Sequence, residues 1–219
     1  MKNIEGVIFD MDGLLFDTEL IYYQSTQKIA DLMNFPYSKE IYLEFVGVSD
    51  KEVQENYHRI YKDFGKEKVD EFIQRSYDDT YQVFESGKVP LKEGVLELLD
   101  FLDQEEIPRI VASSNVRPAI ELLLDGAGIK ERFSGIVSSE DVTRAKPDPQ
   151  IFRKALVNLG TRADSTLIFE DSFHGVTAAD AAGIPVIMIP DLLAPTDEIK
   201  EKTLEIFESL TQVPAYLKK

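Results

Sequence analysis

The chain has 219 residues, 43% hydrophobic and 29% charged, which is the composition of a folded globular protein of one domain or one domain carrying an insertion. Its 24 Lys and Arg against 40 Asp and Glu give a formal charge of −16, so nucleic acid and anionic membrane are excluded as expected partners. Cys is absent, which excludes disulfides, thiolate metal sites and a Cys nucleophile; no apolar stretch reaches the ~18 residues of a membrane span, Met1-Lys2-Asn3-Ile4-Glu5-Gly6 does not read as a signal peptide, and a cytoplasmic monomer is expected.

The first expected element is a strand over residues 4–9, an apolar run that stops at Asp10. Helical patterns follow over 20–33, 38–45, 50–64 and 67–84, with no strand among them. The alternation of strand and helix begins only afterwards. A helix is expected over 91–104, on Val95, Leu98, Leu99 and Leu102, then a strand over 109–112. A Leu-rich helix over 118–127 ends at Gly126 and Gly128, and a weaker strand follows over 135–137. The last units are a helix over 149–159, a strand over 166–169, a helix over 176–182 ended by Gly183, and a strand over 185–189. Unbroken apolar strands suit burial on both faces, so the fold class expected is α/β, a doubly wound parallel sheet. The helical stretch is too long for a simple crossover. It reads as an inserted α-helical cap over 17–86 on a core of 1–16 and 87–219, entered through Gly13 to Asp17 and left through Gly87-Lys88-Val89-Pro90.

Each strand runs into polar residues: Asp10-Met11-Asp12-Gly13 after the first, Ser113-Ser114-Asn115 after the second and Glu170-Asp171-Ser172 after the fourth. Lys146-Pro147-Asp148 lies in the loop before the helix at 149–159. In open parallel sheets the ligand site lies at the carboxyl ends of the strands, so these groups should share one crevice. Several carboxylates buried together repel one another, and a hard divalent cation such as Mg²⁺, with oxygen ligands, resolves the conflict. A cation and Lys146 would make the crevice attractive to phosphate despite the overall charge. Asp10 could then accept a phosphoryl group, and Asp12 could move the proton.

In this order and spacing, Asp10-Met11-Asp12-Gly13-Leu14-Leu15-Phe16-Asp17, Ser113, Lys146-Pro147, and Glu170-Asp171 with Gly175 and Gly183 resemble the four motifs of the haloacid dehalogenase superfamily. The resemblance runs from Val7 to Ile189, and the insertion after the first motif is similar to the helical cap of the subgroup that holds β-phosphoglucomutase and small sugar-phosphate and nucleotide phosphatases. It implies Asp10 as nucleophile, Asp12 as general acid/base whose backbone carbonyl also binds Mg²⁺, and Ser113 and Lys146 as holders of the phosphoryl group. It implies Asp171 as a metal ligand beside Asp10, Glu170 as support of the metal site, and Lys146 as the group that orients Asp10. Ser114, Asn115, Glu19, Tyr22 and Gly47 are the expected substrate-binding residues, and the expected partner is a small phosphorylated metabolite.

Rival chemistries can be weighed on the residues. True dehalogenases lack the second motif aspartate, and Asp12 is present. Phosphonatases use a cap lysine, and nothing marks Lys28 or Lys39 as buried. The mutase uses a cap His and an Arg in a specificity loop, where this chain places Tyr22 and, in Gly47-Val48-Ser49-Asp50, Asp50. Losing the cation that would hold a second phosphate favours a plain phosphatase over a β-phosphoglucomutase-type transfer. Phe9 to Leu15, Phe169-Glu170-Asp171, Gly175-Val176, Ala178-Ala179 and Pro190-Asp191 are also similar to pseudouridine-5′-phosphatase-like members. A calcium loop is disfavoured because its twelfth position, counted from Asp10, is Ile21. A phospho-acceptor signalling domain or a non-catalytic binding protein remains as an alternative of another class. Ser114 is also a candidate N-cap for the helix at Pro118. His58 is expected in solvent, and His174 reads as packed or exposed at a helix start.

Overall fold

A computed structural model describes residues 4–46 and 50–218. Gly47, Val48 and Ser49 lie outside the described residues, as does the side chain of Asp50, so the expected roles of Gly47 and Asp50 fall there too.

Among the described residues the sheet has six parallel strands in the order β3-β2-β1-β4-β5-β6: β1 (Gly6–Phe9), β2 (Arg109–Ala112), β3 (Ile136–Val137), β4 (Thr166–Glu170), β5 (Val186–Met188) and β6 (Glu205–Ile206). Successive side chains point to opposite faces, so each buried strand feeds two cores. Val7, Phe9, Val111, Leu167, Phe169 and Ile187 face one side, where α5 (Val95–Gln104) and α6 (Arg117–Gly126) pack. Ile8, Ile110, Ile168, Val186 and Met188 face the other, under α7 (Gln150–Leu159), α8 (Phe173–Ala182) and α9 (Asp197–Lys202). A last helix, α10 (Val213–Leu217), closes the first face through Val213.

Among the described residues four α-helices stand between β1 and α5: α1 (Thr18–Met33), α2 (Lys39–Leu43), α3 (Asp50–Ile60) and α4 (Lys66–Glu85). They bury a cluster of their own, with Ile29, Met33, Phe35, Tyr61 and Phe72 among its members. Phe35 stacks between Phe64 and Phe72 at ring distances of 4.4 and 4.5 Å. At the other end of α4, Phe84 leaves this cluster and joins the core under the sheet.

The two chain segments that lead into and out of these helices pair with one another. Phe16 and Leu91 form an antiparallel bridge, Asp17 N–H donates to the Pro90 carbonyl at 3.0 Å, and Lys92 N–H donates to the Leu15 carbonyl at 2.9 Å. This pairing corrects one boundary. The helix expected from residue 91 begins at Val95, because Leu91 and Lys92 are held extended across the crossing. The helix at 118–127 also starts earlier than read, at Arg117, with Val116 as its N-cap, so Ser114 is not the cap. The helix expected from 176 begins at Phe173 behind Ser172, whose Oγ accepts the Gly175 N–H at 3.1 Å.

Candidate active site

The carboxyl ends of β1, β2 and β4 and the loop before α7 meet the helical insertion around a cavity of about 150 Å³. The sheet side contributes Asp10, Asp12, Lys146 and Asp171, edged by Ser114, Asn115 and Ser172. The helical side contributes Glu19, Tyr22 and Tyr42 among others.

Asp10 follows β1 directly, and the chain then turns sharply. The N–H groups of Leu15 and Phe16 both donate to the Met11 carbonyl, at 2.9 and 3.1 Å. Gly13 makes the turn at φ +76°, and a Cβ there would lie 2.4 Å from Asp171 Oδ2, so only glycine fits between the first and fourth motifs. Asp12 is held on both carboxylate oxygens: Thr18 Oγ donates to Oδ1 at 2.9 Å and Ser113 Oγ to Oδ2 at 3.3 Å.

Lys146 is the pivot of the site. Its ammonium donates to Asp10 Oδ1, to Glu170 Oε1 at 2.7 Å and to the Ala112 carbonyl at 3.4 Å, and it lies 4.9 Å from the Phe152 ring centre. Glu170 is fully buried, and its second oxygen accepts the Ser172 N–H at 2.7 Å and the Ser172 hydroxyl at 3.0 Å. The α8 backbone packs against this carboxylate so closely that a Cβ on Gly175 would sit 1.6 Å from Glu170 Oε1. Gly175→Ala is therefore expected to displace Glu170 and with it Lys146, costing about 1–3 kcal/mol of stability and most of the activity; thermal melts and turnover measured together check this.

Burial dominates the electrostatics. It pushes the Asp10 carboxyl up to about 8, against the pull of Lys146 and with the push of Glu170 and Asp12. Burial likewise raises Asp12, although Thr18, Asn115 and Ser113 hydrogen bonds oppose it. Asp171 is raised well above the carboxylate range by burial and then by the Glu170 and Asp10 charges. Burial alone would lower Lys146, but the Asp10 and Glu170 carboxylates outweigh it and hold the ammonium raised. One lysine thus faces more negative charge than it can neutralise.

That surplus fits a cation. Carboxylate oxygens of Asp10, Glu170 and Asp171 lie within 4.8 Å of one another, all buried, and every donor is oxygen, the set that hard divalent ions take. Asp191 adds to the same field: its Oδ2 is buried, makes no hydrogen bond among the described residues, and lies 3.1 Å from the point a Gly13 Cβ would occupy. Its other oxygen accepts from Lys92 Nζ at 2.6 Å.

Of the expected substrate-binding residues, Glu19, Tyr22, Ser114 and Asn115 line the cavity. Asn115 Nδ2 donates to the Tyr22 hydroxyl at 2.6 Å, a direct link between the sheet side and α1. Ser113 does not line it. This residue is fully buried, its hydroxyl turned to Asp12 and accepting the Asn115 N–H at 3.0 Å. Lys28 pairs with Asp79 at 2.5 Å on the surface and Lys39 is exposed, so neither offers the cavity an amine. His58 meets Asp70 at 2.9 Å on an outer face. Residues the sequence reading did not single out also line the cavity, notably Thr26, Tyr42, Gln54, Ser76 and Thr80.

These features agree with what the chain resembles. The family model for haloacid dehalogenase-like hydrolases matches residues 7–189, and the chain belongs to that family. A relative from Thermotoga maritima, named phosphorylated carbohydrates phosphatase, is 33% identical over 184 residues, 83% of this chain and 82% of that one. A Drosophila melanogaster protein provisionally assigned as a pseudouridine-5′-phosphatase is 30% identical over 199 residues, covering 87% and 84%. A crystal structure of a Thermotoga maritima protein, provisionally assigned as a β-phosphoglucomutase, superposes with a TM-score of 0.80 at 27% identity and 98% coverage of both chains. The enzyme class is hydrolase. No described helix is long and apolar enough to cross a membrane.

Proposed function

We propose that the protein is a Mg²⁺-dependent phosphatase that hydrolyses a small phosphomonoester through a phosphoryl group carried on Asp10. The observation that carries this reading is Asp10 at the cavity edge, its carboxylate gripped by a lysine that a second buried carboxylate holds in place. A clamp on Oδ1 aims the other oxygen, which is what an attacking carboxylate needs.

Asp10 and Asp171 would hold the Mg²⁺, with the Asp12 backbone carbonyl, and Glu170 stands behind them with both oxygens already engaged. The ion supplies charge neutralisation and a site for a phosphate oxygen. An Asp10 carboxylate oxygen attacks phosphorus, and the bond from phosphorus to the ester oxygen breaks. Asp12, whose carboxyl burial pushes above its ordinary value, gives its proton to the departing alkoxide. Water then attacks the phosphoryl group, Asp12 takes its proton, and the Asp10–phosphorus bond breaks to release inorganic phosphate. Lys146 balances charge on the phosphoryl oxygens. Ser113 keeps Asp12 in position and can turn its hydroxyl to the phosphoryl group. Residues 17–86 act as a lid that excludes bulk water and admits one leaving group, moving on the paired segments at Phe16 and Leu91. The mutase reading is disfavoured because Lys146 is the only Lys, Arg or His among the described residues lining the cavity, leaving no cation for a second phosphate.

Phosphate release from a panel of monoesters, with and without Mg²⁺, tests the reading; release from none of them contradicts it. Melting curves test the metal site separately. Asp10 is raised from 3.8 to about 8, so between those values the folded, cation-free protein binds more protons than the unfolded chain. Its stability is expected to fall as pH rises from about 5 to 8. Added Mg²⁺ should restore it, and more at pH 8 than at pH 5. An equal Mg²⁺ effect at both values would count against the site.

A further inference from the structure

Four hydroxyl groups on the helical side of the cavity share one property. Ser76 Oγ donates to the Phe72 carbonyl at 2.8 Å, and Thr80 Oγ donates to the Ser76 carbonyl at 3.0 Å, one turn apart on α4. Tyr42 donates to the Glu19 carboxylate, and Tyr57 donates to the Tyr37 hydroxyl at 3.4 Å. All four line the cavity, and the proton of each is turned into the protein. What they can offer a ligand is oxygen lone pairs. Ser76 and Thr80 are buried, so water does not freely satisfy those acceptors once the cavity is filled. Glu19 adds a carboxyl to the same wall, and the described residues of the helical side bring no Lys, Arg or His to it.

We infer that Ser76 and Thr80, which line the cavity together with Glu19, are specificity residues that select a leaving group rich in hydroxyl or amine donors and free of negative charge. The inference rests on the phosphatase reading and narrows it. A leaving group with a carboxylate or second phosphate would meet acceptors and a carboxyl, with no Lys, Arg or His among the described residues of the helical side to pair its charge, and it would have to shed water at a cost. A polyol or amino-polyol would supply the missing donors. Discrimination by unpaired buried polar groups is the strong kind, since a site built to hydrogen-bond rejects what cannot.

A matched pair of substrates isolates the effect. Glucitol 6-phosphate and 6-phosphogluconate share the carbon chain and the ester and differ in a hydroxymethyl group against a carboxylate. With p-nitrophenyl phosphate as reference, kcat/KM for the glucitol ester is expected to exceed that for the gluconate ester by about 100-fold or more. The Ser76→Ala, Thr80→Val double variant should lower the preference for glucitol 6-phosphate over p-nitrophenyl phosphate by about tenfold, through KM. Equal rates on the two matched esters overturn the inference, and so does an unmoved preference in the double variant. Failure to hydrolyse even p-nitrophenyl phosphate would instead overturn the phosphatase reading beneath it.

Discussion

Asp10→Asn is expected to lower kcat by about 10⁴-fold or more while leaving the fold in place. The amide cannot form the carboxyl–phosphate bond, so the loss should appear in kcat on every ester alike. Stability should move the other way. Asp10 is one of several buried carboxylates that push one another up, with burial as the largest cost to its charge. Removing its charge in the absence of a cation should hold or raise the melting temperature, and most clearly above pH 7. A variant that is inactive because it is misfolded would melt lower. Residual turnover near wild type in a pure sample would remove Asp10 from the chemistry.

Lys146→Ala is expected to lose both activity and stability. The rate should fall by about 10³-fold, the scale of losing one charge-stabilising donor at a reacting centre. The stability loss follows from what the lysine leaves behind. Asp10 and Glu170 both donate nothing and accept from Lys146, and both are buried. Breaking a buried pair by removing one partner costs about 3–5 kcal/mol. The cost should be smaller at pH 5 than at pH 8, because Asp10, pushed up to about 8 by burial, escapes by taking up a proton. Lysine and cation oppose the same charge, so Mg²⁺ should recover more stability in Lys146→Ala than in wild type. A variant that melts like wild type at pH 8 would show that Lys146 does not carry the charge balance assigned to it.

The sheet was legible because its strands are buried on both faces. In Arg109–Ala112 every residue after Arg109 is apolar and even Arg109 is buried, so nothing marks an outer side, and the match there is residue for residue. The edge strand Glu205–Ile206 was not legible, since it is two residues long with Glu205 exposed, and neither were the short helices α9 and α10. The sheet side of the site was readable for a related reason. Charged residues that interrupt apolar strands at their carboxyl ends have few places to go, and Asp10, Lys146, Glu170 and Asp171 meet there.

The helical side was harder. Helical periodicity tells which residues face inward, not whether they meet a core or a cavity. Ser76 and Thr80 continue the stripe of Val69, Phe72 and Ile73 on α4, all of them buried. Two small hydroxyl residues on an otherwise apolar inward stripe are the signal that was available. Ser114 was open to reading as a helix cap because local pattern cannot distinguish a hydroxyl that closes a helix from one turned into a cavity.

The central claim is a phosphoryl group on Asp10, and trapping it is the most direct measurement. The enzyme would be mixed with a phosphorus-labelled ester and Mg²⁺, quenched in acid within milliseconds, reduced with borohydride and digested. Phosphoprotein should form as the ester disappears, and position 10 should be recovered as homoserine, the product of reducing an acyl phosphate. Hydrolysis that proceeds with no labelled protein at any quench time, and with Asp10 recovered intact, would contradict the account.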